Sequence, residues 1–295
     1  MKTCQIIMIL ILSIILSCDN SEDSKTAENQ FSNPQKVTIL GYDNAGDNAM
    51  EPFITRDGAY LIFNSDQSDN NKDIYIAGYV DGITFQLISK LGNVNSTGVD
   101  GTPSTDISGN FYCISTKNYD NVSSFDTIYT GTLDSVNNKI DNIAVVDGLA
   151  DDVPYHVNFD VEINPAGTKM YFVDGEYDTS WNPIQADIKT AAKSGSNFTV
   201  DADSDFIMMN INTSDLEYAP CISSDGLELF FNRASAGDVR IYRSTRSSSS
   251  SQFSIPAAVT PISEFVEGPC LSPDEKSLYY HKKEGSRFVI YRMTR

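Results

Sequence analysis

Residues 217–231 read EYAPCISSDGLELFF. The stretch divides into a strand, a turn at Asp225-Gly226 and a second strand. Asp followed by Gly suits a tight reversal, because glycine accepts positive φ without a Cβ clash. Ile222 precedes the turn, and Leu229, Phe230 and Phe231 follow it. Continuous apolar runs of this kind suit strands buried on both faces.

Four further copies align with this one. Residues 52–63 read PFITRDGAYLIF, 103–114 PSTDISGNFYCI, 161–172 VEINPAGTKMYF and 269–280 PCLSPDEKSLYY, against PCISSDGLELFF at 220–231. Gly58, Gly109, Gly167 and Gly226 share a column, in which the last copy has Glu275. The repeat length is roughly 50–60 residues, in the range of propeller blades built from four strands each. A third strand follows each pair, at 73–78 (DIYIAG), 127–131 (TIYTG), 187–191 (DIKTA), 240–244 (RIYRS) and 289–293 (VIYRM). Fourth strands open at Phe85, Phe198 and Phe253, and the last unit ends without one. Residues 31–40, FSNPQKVTIL, duplicate residues 253–262, FSIPAAVTPI, at Phe, Ser, Pro, Val and Thr. The sequence therefore predicts an all-β, five-bladed β-propeller of four-stranded antiparallel blades, closed by the N-terminal strand pairing in the last blade.

The repeat resembles that of TolB-type (WD-like) propellers, carried by Pro220, Ser223, Asp225, Gly226, Leu229 and Phe231 and by the following Ile241-Tyr242. The resemblance covers residues 31–295 and implies binding or scaffolding in a bacterial cell envelope.

Ahead of the repeats, Lys2 precedes an apolar run over 6–16 that ends at Ser17-Cys18. The run is shorter than the roughly 20 residues a spanning helix needs. It reads as a lipoprotein signal peptide over 1–17, with Ile15-Leu16-Ser17-Cys18 resembling a lipobox and Cys18 as the acylated residue. Residues 18–30 are polar and acidic, a flexible tether. The expected location is the cell envelope, anchored by lipid, with the outer membrane favoured on its periplasmic side or its surface.

The formal net charge is −19, which makes nucleic acid a poor partner. An envelope protein or a glycan is the expected partner, besides the membrane itself through the anchor. Of five cysteines, Cys113, Cys221 and Cys270 fall in the repeats. Cys221 and Cys270 share a column and are either bridged or buried as thiols. With two histidines, no Cys/His metal cluster is expected, and no cofactor. Asp201, Asp203 and Asp205 begin like a calcium loop, but Phe206 stands where that loop has glycine.

Acidic residues gather in the loops that enter the first strand of each unit: Asp47 and Glu51, Asp100, Asp160, Asp215 and Glu217, Glu264 and Glu267. A second loop set adds Asp66, Asp69, Asp120, Asp178 and Asp238. Strand parity places both sets on one face. They either crowd around a cation or a basic ligand, or cap backbone N–H groups of their own turns. The loop over 174–185 adds Tyr177 and Trp181, the only tryptophan, which either stack on a ligand or cover their own blade. The candidate ligand site is Tyr177, Trp181, Asp100, Asp160, Glu217 and Glu267. Glu162 and Asp106 are the carboxylates a glycosidase reading would use. No Ser-His-Asp set, phosphate loop or dinucleotide fingerprint is present. The expectation is a non-catalytic, lipid-anchored scaffold that binds protein or glycan through an acidic face; the alternative is a five-bladed glycosidase using channel carboxylates.

Overall fold

The computed structural model describes residues 30–42, 47–66, 71–259 and 265–295. The signal segment, Cys18 and the tether up to residue 29 lie outside the described residues, as do Asp69 and Glu264. Among the described residues no helix is long and apolar enough to cross a membrane.

The chain is all-β. It begins with β1 (Ser32–Lys36) and β2 (Thr38–Leu40) and then lays down antiparallel sheets in order. The first sheet holds β3 (Met50–Ile54), β4 (Tyr60–Ser65), β5 (Asp73–Asp81) and β6 (Thr84–Lys90). The second holds β7 (Asp100–Thr105), β8 (Asn110–Ser115), β9 (Ile128–Asp134) and β10 (Lys139–Val145). The third holds β11 (His156–Ile163), β12 (Lys169–Tyr177), β13 (Pro183–Ser194) and β14 (Asn197–Val200), followed by a short helix α1 (Ser204–Met208). The fourth holds β15 (Leu216–Ile222), β16 (Glu228–Ser235), β17 (Asp238–Thr245) and β18 (Ala257–Ala258). A parallel pairing of Ala186 with Leu216 links it to the third. The last holds β19 (Val266–Leu271), β20 (Ser277–Glu284) and β21 (Arg287–Thr294), with β1 as its outermost strand.

The turn of the repeat is held by two side chains. Ser223 Oγ donates to Asp225 Oδ1 at 2.7 Å, while the Leu227 and Glu228 N–H groups donate to Asp225 Oδ1 and Ser223 Oγ at 2.9 and 2.8 Å. Gly226 sits at φ 72°. Thr55-Asp57-Gly58 repeats these bonds, and so does Ser272-Asp274-Glu275, where Glu275 adopts φ 58° in the glycine's place. Asp106 and Asn164 do the capping alone in the second and third units.

Consecutive residues of each second strand point to opposite faces, and both faces are buried. Phe231 packs with Tyr171, Val173 and Ile188 of the third sheet, and Phe230 with Leu278 and Tyr280 of the last. Similar cores join the first sheet to the second and the second to the third. A fifth core joins Phe53, Leu61 and Phe63 of the first sheet to Cys270, Tyr279 and Ile290 of the last.

The segment over 31–40 does two things. Gln35 and Lys36 pair with Arg292 and Tyr291, as Ala257 and Ala258 pair with Arg243 and Tyr242 in the fourth sheet. Val37 N–H donates to Ile290 O at 2.9 Å, as Val259 N–H donates to Ile241 O at 2.9 Å. After Val37 the segment crosses to the first sheet, where Thr38, Ile39 and Leu40 pair in parallel with Thr84, Phe85 and Gln86.

The three cysteines among the described residues, Cys113, Cys221 and Cys270, are buried free thiols. Cys221 Sγ accepts the Leu271 N–H at 3.2 Å and Cys270 Sγ the Ile54 N–H at 3.3 Å, so each ties one inner strand to the next. Burial pushes the Cys270 thiol up to about 12, which keeps it protonated and unreactive.

Candidate functional site

Four of the five inner strands carry proline at the anchor column, Pro52, Pro103, Pro220 and Pro269; the third carries Val161. Proline has no N–H to give a ladder, so within a sheet it is confined to edges and bulges. Each inner strand is bulged there: the register slips between Met50 and Phe53, Gly101 and Ser104, Phe159 and Glu162, Tyr218 and Cys221, and Glu267 and Cys270. The residue just before the anchor takes a left-handed backbone in every copy. Glu51, Thr102, Asp160 and Ala219 have φ of 48°, 47°, 51° and 51°, and Gly268 has 65°. Such a conformation costs about 1–3 kcal/mol per non-glycine residue and gathers where function needs a side chain re-aimed. These five residues and the two after each, Ser104 excepted, line one narrow cavity, the channel of the site.

A larger cavity of about 350 Å³, the mouth, shares Glu51, Thr102, Asp160, Ala219 and Gly268 with the channel. Glu51, Asp160 and Glu267 line it, from the first, third and last sheets, together with Lys72, Tyr177, Tyr218 and His281. The three carboxylates have different surroundings. Glu51 accepts from Lys72 Nζ at 3.0 Å, from the Thr102 N–H at 3.2 Å and from Asn64 Nδ2. Burial opposes its charge, but Lys72 and then the Asn64 hydrogen bond outweigh it and bring the carboxyl down to about 2. Glu267 accepts the Tyr218 hydroxyl and lies 3.1 Å from His281 Nε2. Because His281 Nδ1 accepts the Glu51 N–H at 3.1 Å, the ring proton belongs on Nε2, which donates to Glu267. Asp160 accepts the Ala219 N–H at 3.0 Å. Burial, and then the charge of Glu51, push its carboxyl up to about 8, so that it holds a proton at neutral pH.

Trp181 stands at the rim, 47% exposed, at φ 64°. Its ring centroid lies 6.0, 5.3 and 5.8 Å from those of Tyr119, Tyr155 and Tyr177. Tyr177 belongs both to this cluster and to the cavity wall, so the aromatic rim runs into the acidic mouth. Burial and the nearby Asp160 push its hydroxyl up to about 12.

Of the residues expected from the sequence, the structure thus brings Asp160, Glu267, Tyr177 and Trp181 together. Asp100 and Glu217 are fully buried and turned away into their own loops. Asp100 accepts the Ser96 N–H and hydroxyl; Glu217 accepts the Thr213 N–H and hydroxyl and Arg233 Nε. Their place at the mouth is corrected accordingly: a Ser or Thr four residues back draws each into a turn cap. In the second loop set, Asp120 and Asp178 likewise accept backbone N–H groups of their own turns. Asp201 and Asp205 pair with Lys169 and Lys189. Asp106 caps the turn of the second unit, while Glu162 is buried against Arg56 at 2.8 Å and Ser104 Oγ at 2.7 Å. Those two carboxylates do not form an open acid pair. Lys72, Tyr218 and His281 carry no signal in the sequence; the nearest clue to them is the column ahead of the anchors, where Glu51 and Asp160 stand.

No protein-family model and no curated relative matches the sequence. Solved structures do. One, described as a glycoside hydrolase, is similar over 92% of this chain and 94% of its own, at a TM-score of 0.64 and 10% identity. Zg3597, a family 117 glycoside hydrolase of the marine bacterium Zobellia galactanivorans, is similar over 90% of each chain, at a TM-score of 0.59 and 10% identity. TolB from Acinetobacter baumannii is similar at a TM-score of 0.45 and 16% identity over 84% of this chain, which spans 54% of TolB's length. At such identities the likeness shows the fold alone, and that fold is a β-propeller. It also corrects the expectation of a non-catalytic chain, because glycoside hydrolases share the frame over nine-tenths of its length.

Proposed function

We propose that the mouth cavity is a glycan-binding site on a closed, five-bladed propeller. The five inter-sheet cores, the last joining first and final sheets, support the ring, as does the crossing of 31–40 between those two sheets. The observation that carries the function is the continuity of the Tyr119, Tyr155, Tyr177 and Trp181 rim with the carboxylates of the mouth. Aromatic faces stack on the C–H faces of sugar rings, and buried charged groups accept their hydroxyls.

A second reading, glycoside cleavage, is favoured by one observation: two carboxylates on one cavity have their ionisation pushed apart. Asp160 would give a proton and Glu51 would act as the ionised partner. The anchor belongs to the same proposal. Cys18 carries the lipid that holds the propeller in the cell envelope, at the outer membrane, and Cys18→Ala should move the protein from the detergent phase to the aqueous phase.

The test is calorimetric titration of the detergent-solubilised full chain with a panel of neutral and acidic polysaccharides. Trp181→Ala should weaken binding about tenfold, near 1.4 kcal/mol, with little change in melting temperature. Binding indifferent to both Trp181→Ala and Glu51→Gln would sink the glycan reading. Release of reducing ends that Asp160→Asn abolishes, with binding retained, would establish the second.

A further inference from the structure

Outside the mouth, one more set of side chains converges. Asp151, His156 and Asp174 each offer a ligand atom, and these atoms all lie within 4.8 Å of one another. The ladder explains two of the three. His156 pairs with Glu176 and Asn158 with Asp174 across β11 and β12, so His156 and Asp174 are diagonal neighbours on one face. Asp151 comes from the loop that leads into β11. Asp187 lies opposite Asp174 on β13 and adds negative charge.

Two of these atoms are stranded. His156 Nδ1 and Asp174 Oδ1 are shut off from solvent and have no hydrogen-bond partner. They lie 3.8 Å apart, too far for a hydrogen bond. Folded proteins seldom leave a buried donor or acceptor unmet, and here two lie side by side. A cation bound at about 2.0–2.2 Å from each would satisfy both.

The geometry points to a divalent transition-metal site formed by Asp151, His156 and Asp174. One imidazole with two carboxylates suits zinc or manganese rather than calcium, whose ligands are oxygen atoms. Three protein ligands leave a further position for solvent. Asp174 fits the role by its neighbours: Asp151 beside it and Asp187 across the ladder crowd it with like charge, which a bound cation would offset. The site joins the loop before β11 to β12. That loop carries Tyr155, and β12 ends in Tyr177, so the metal would brace two members of the aromatic rim. The site does not depend on what the mouth binds.

The experiment uses the full chain stripped with EDTA and titrated with zinc, manganese and calcium chlorides, read by calorimetry and thermal melting. Zinc or manganese should bind at one equivalent and raise the melting temperature by several degrees. His156→Ala and Asp174→Asn should each weaken that binding at least tenfold while the metal-free melting temperature stays close to the parent's. If His156→Ala fails to fold, Asp174→Asn decides alone. Absence of binding, binding untouched by Asp174→Asn, or calcium binding as tightly as zinc would each overturn the proposal.

Discussion

Asp160 and Glu162 stand two residues apart on β11, and their charges meet opposite surroundings. Glu162, below the bulge, has Arg56 at 2.8 Å and the Ser104 hydroxyl at 2.7 Å. Arg56 reaches it from the turn of the first sheet and also donates to Thr105 O and Ile163 O, at 2.9 and 2.7 Å. Asp160, at the bulge, has one backbone N–H and shares its cavity with two more carboxylates. The lower end of the channel is a satisfied polar joint between three sheets. At the upper end Asp160 keeps its proton because ionising it there is costly, the condition under which a ligand or a change of pH has something to alter.

The largest effect should come from the lower end. Arg56→Ala leaves Glu162 buried without its cation and should cost about 3–5 kcal/mol in denaturant unfolding. Arg56→Met combined with Glu162→Leu should recover most of that loss, since an apolar pair tolerates burial. A loss below about 1 kcal/mol for Arg56→Ala would mean that the joint is not what holds the channel, and the contrast with Asp160 would fail. Ser104→Ala comes next. It removes a donor to Glu162 and the acceptor of the Ile163 N–H, at 3.1 Å, and should cost about 1–3 kcal/mol.

The effect at the mouth is distinguished by its pH profile rather than by a loss at one pH. Asp160 titrates near 8 in the folded chain against an ordinary value of 3.8, so between those values the folded state binds the extra proton. Stability should therefore fall as pH rises from about 4 to about 8, by at most ~1.4 kcal/mol per pH unit for one proton. Asp160→Asn should flatten that slope in melting temperature against pH. Glu51 acts in the opposite sense: its folded value of about 2 lies below the ordinary 4.5, so its contribution is present above about pH 4.5 and lost as pH falls towards 2. An unchanged slope in Asp160→Asn would show that the mouth carboxyl is not strained.

The repeat was legible because its signals are local. Ser223, Asp225 and Gly226 close a turn among themselves, and the paired aromatics after it report burial on both faces. The pairing of 35–36 with β21 was legible as a duplication of 253–262. The move of Thr38–Leu40 onto β6 was not, since parallel pairing depends on where another sheet ends. At the site, acidic type alone could not separate Asp160 from Asp100 or Glu217. What separates them is the bulge, which turns Asp160 into the cavity, against the Ser96 and Thr213 hydroxyls, which claim the other two. Lys72, Tyr218 and His281 carry no shared spacing, and they meet only because three sheets converge.

Ser32 pairs with Thr294, so the first strand described is joined to the last. Among the described strands, β1 is made before all the others and its partner β21 after them. The last sheet therefore stays without its outermost pair until every other described sheet has been made. Contacts of such long sequence separation form slowly, and an unpaired edge invites the wrong neighbour. Pairing of β1 with β21 should accordingly be a late step in assembly, and the interval before it is when a chaperone would be of most use.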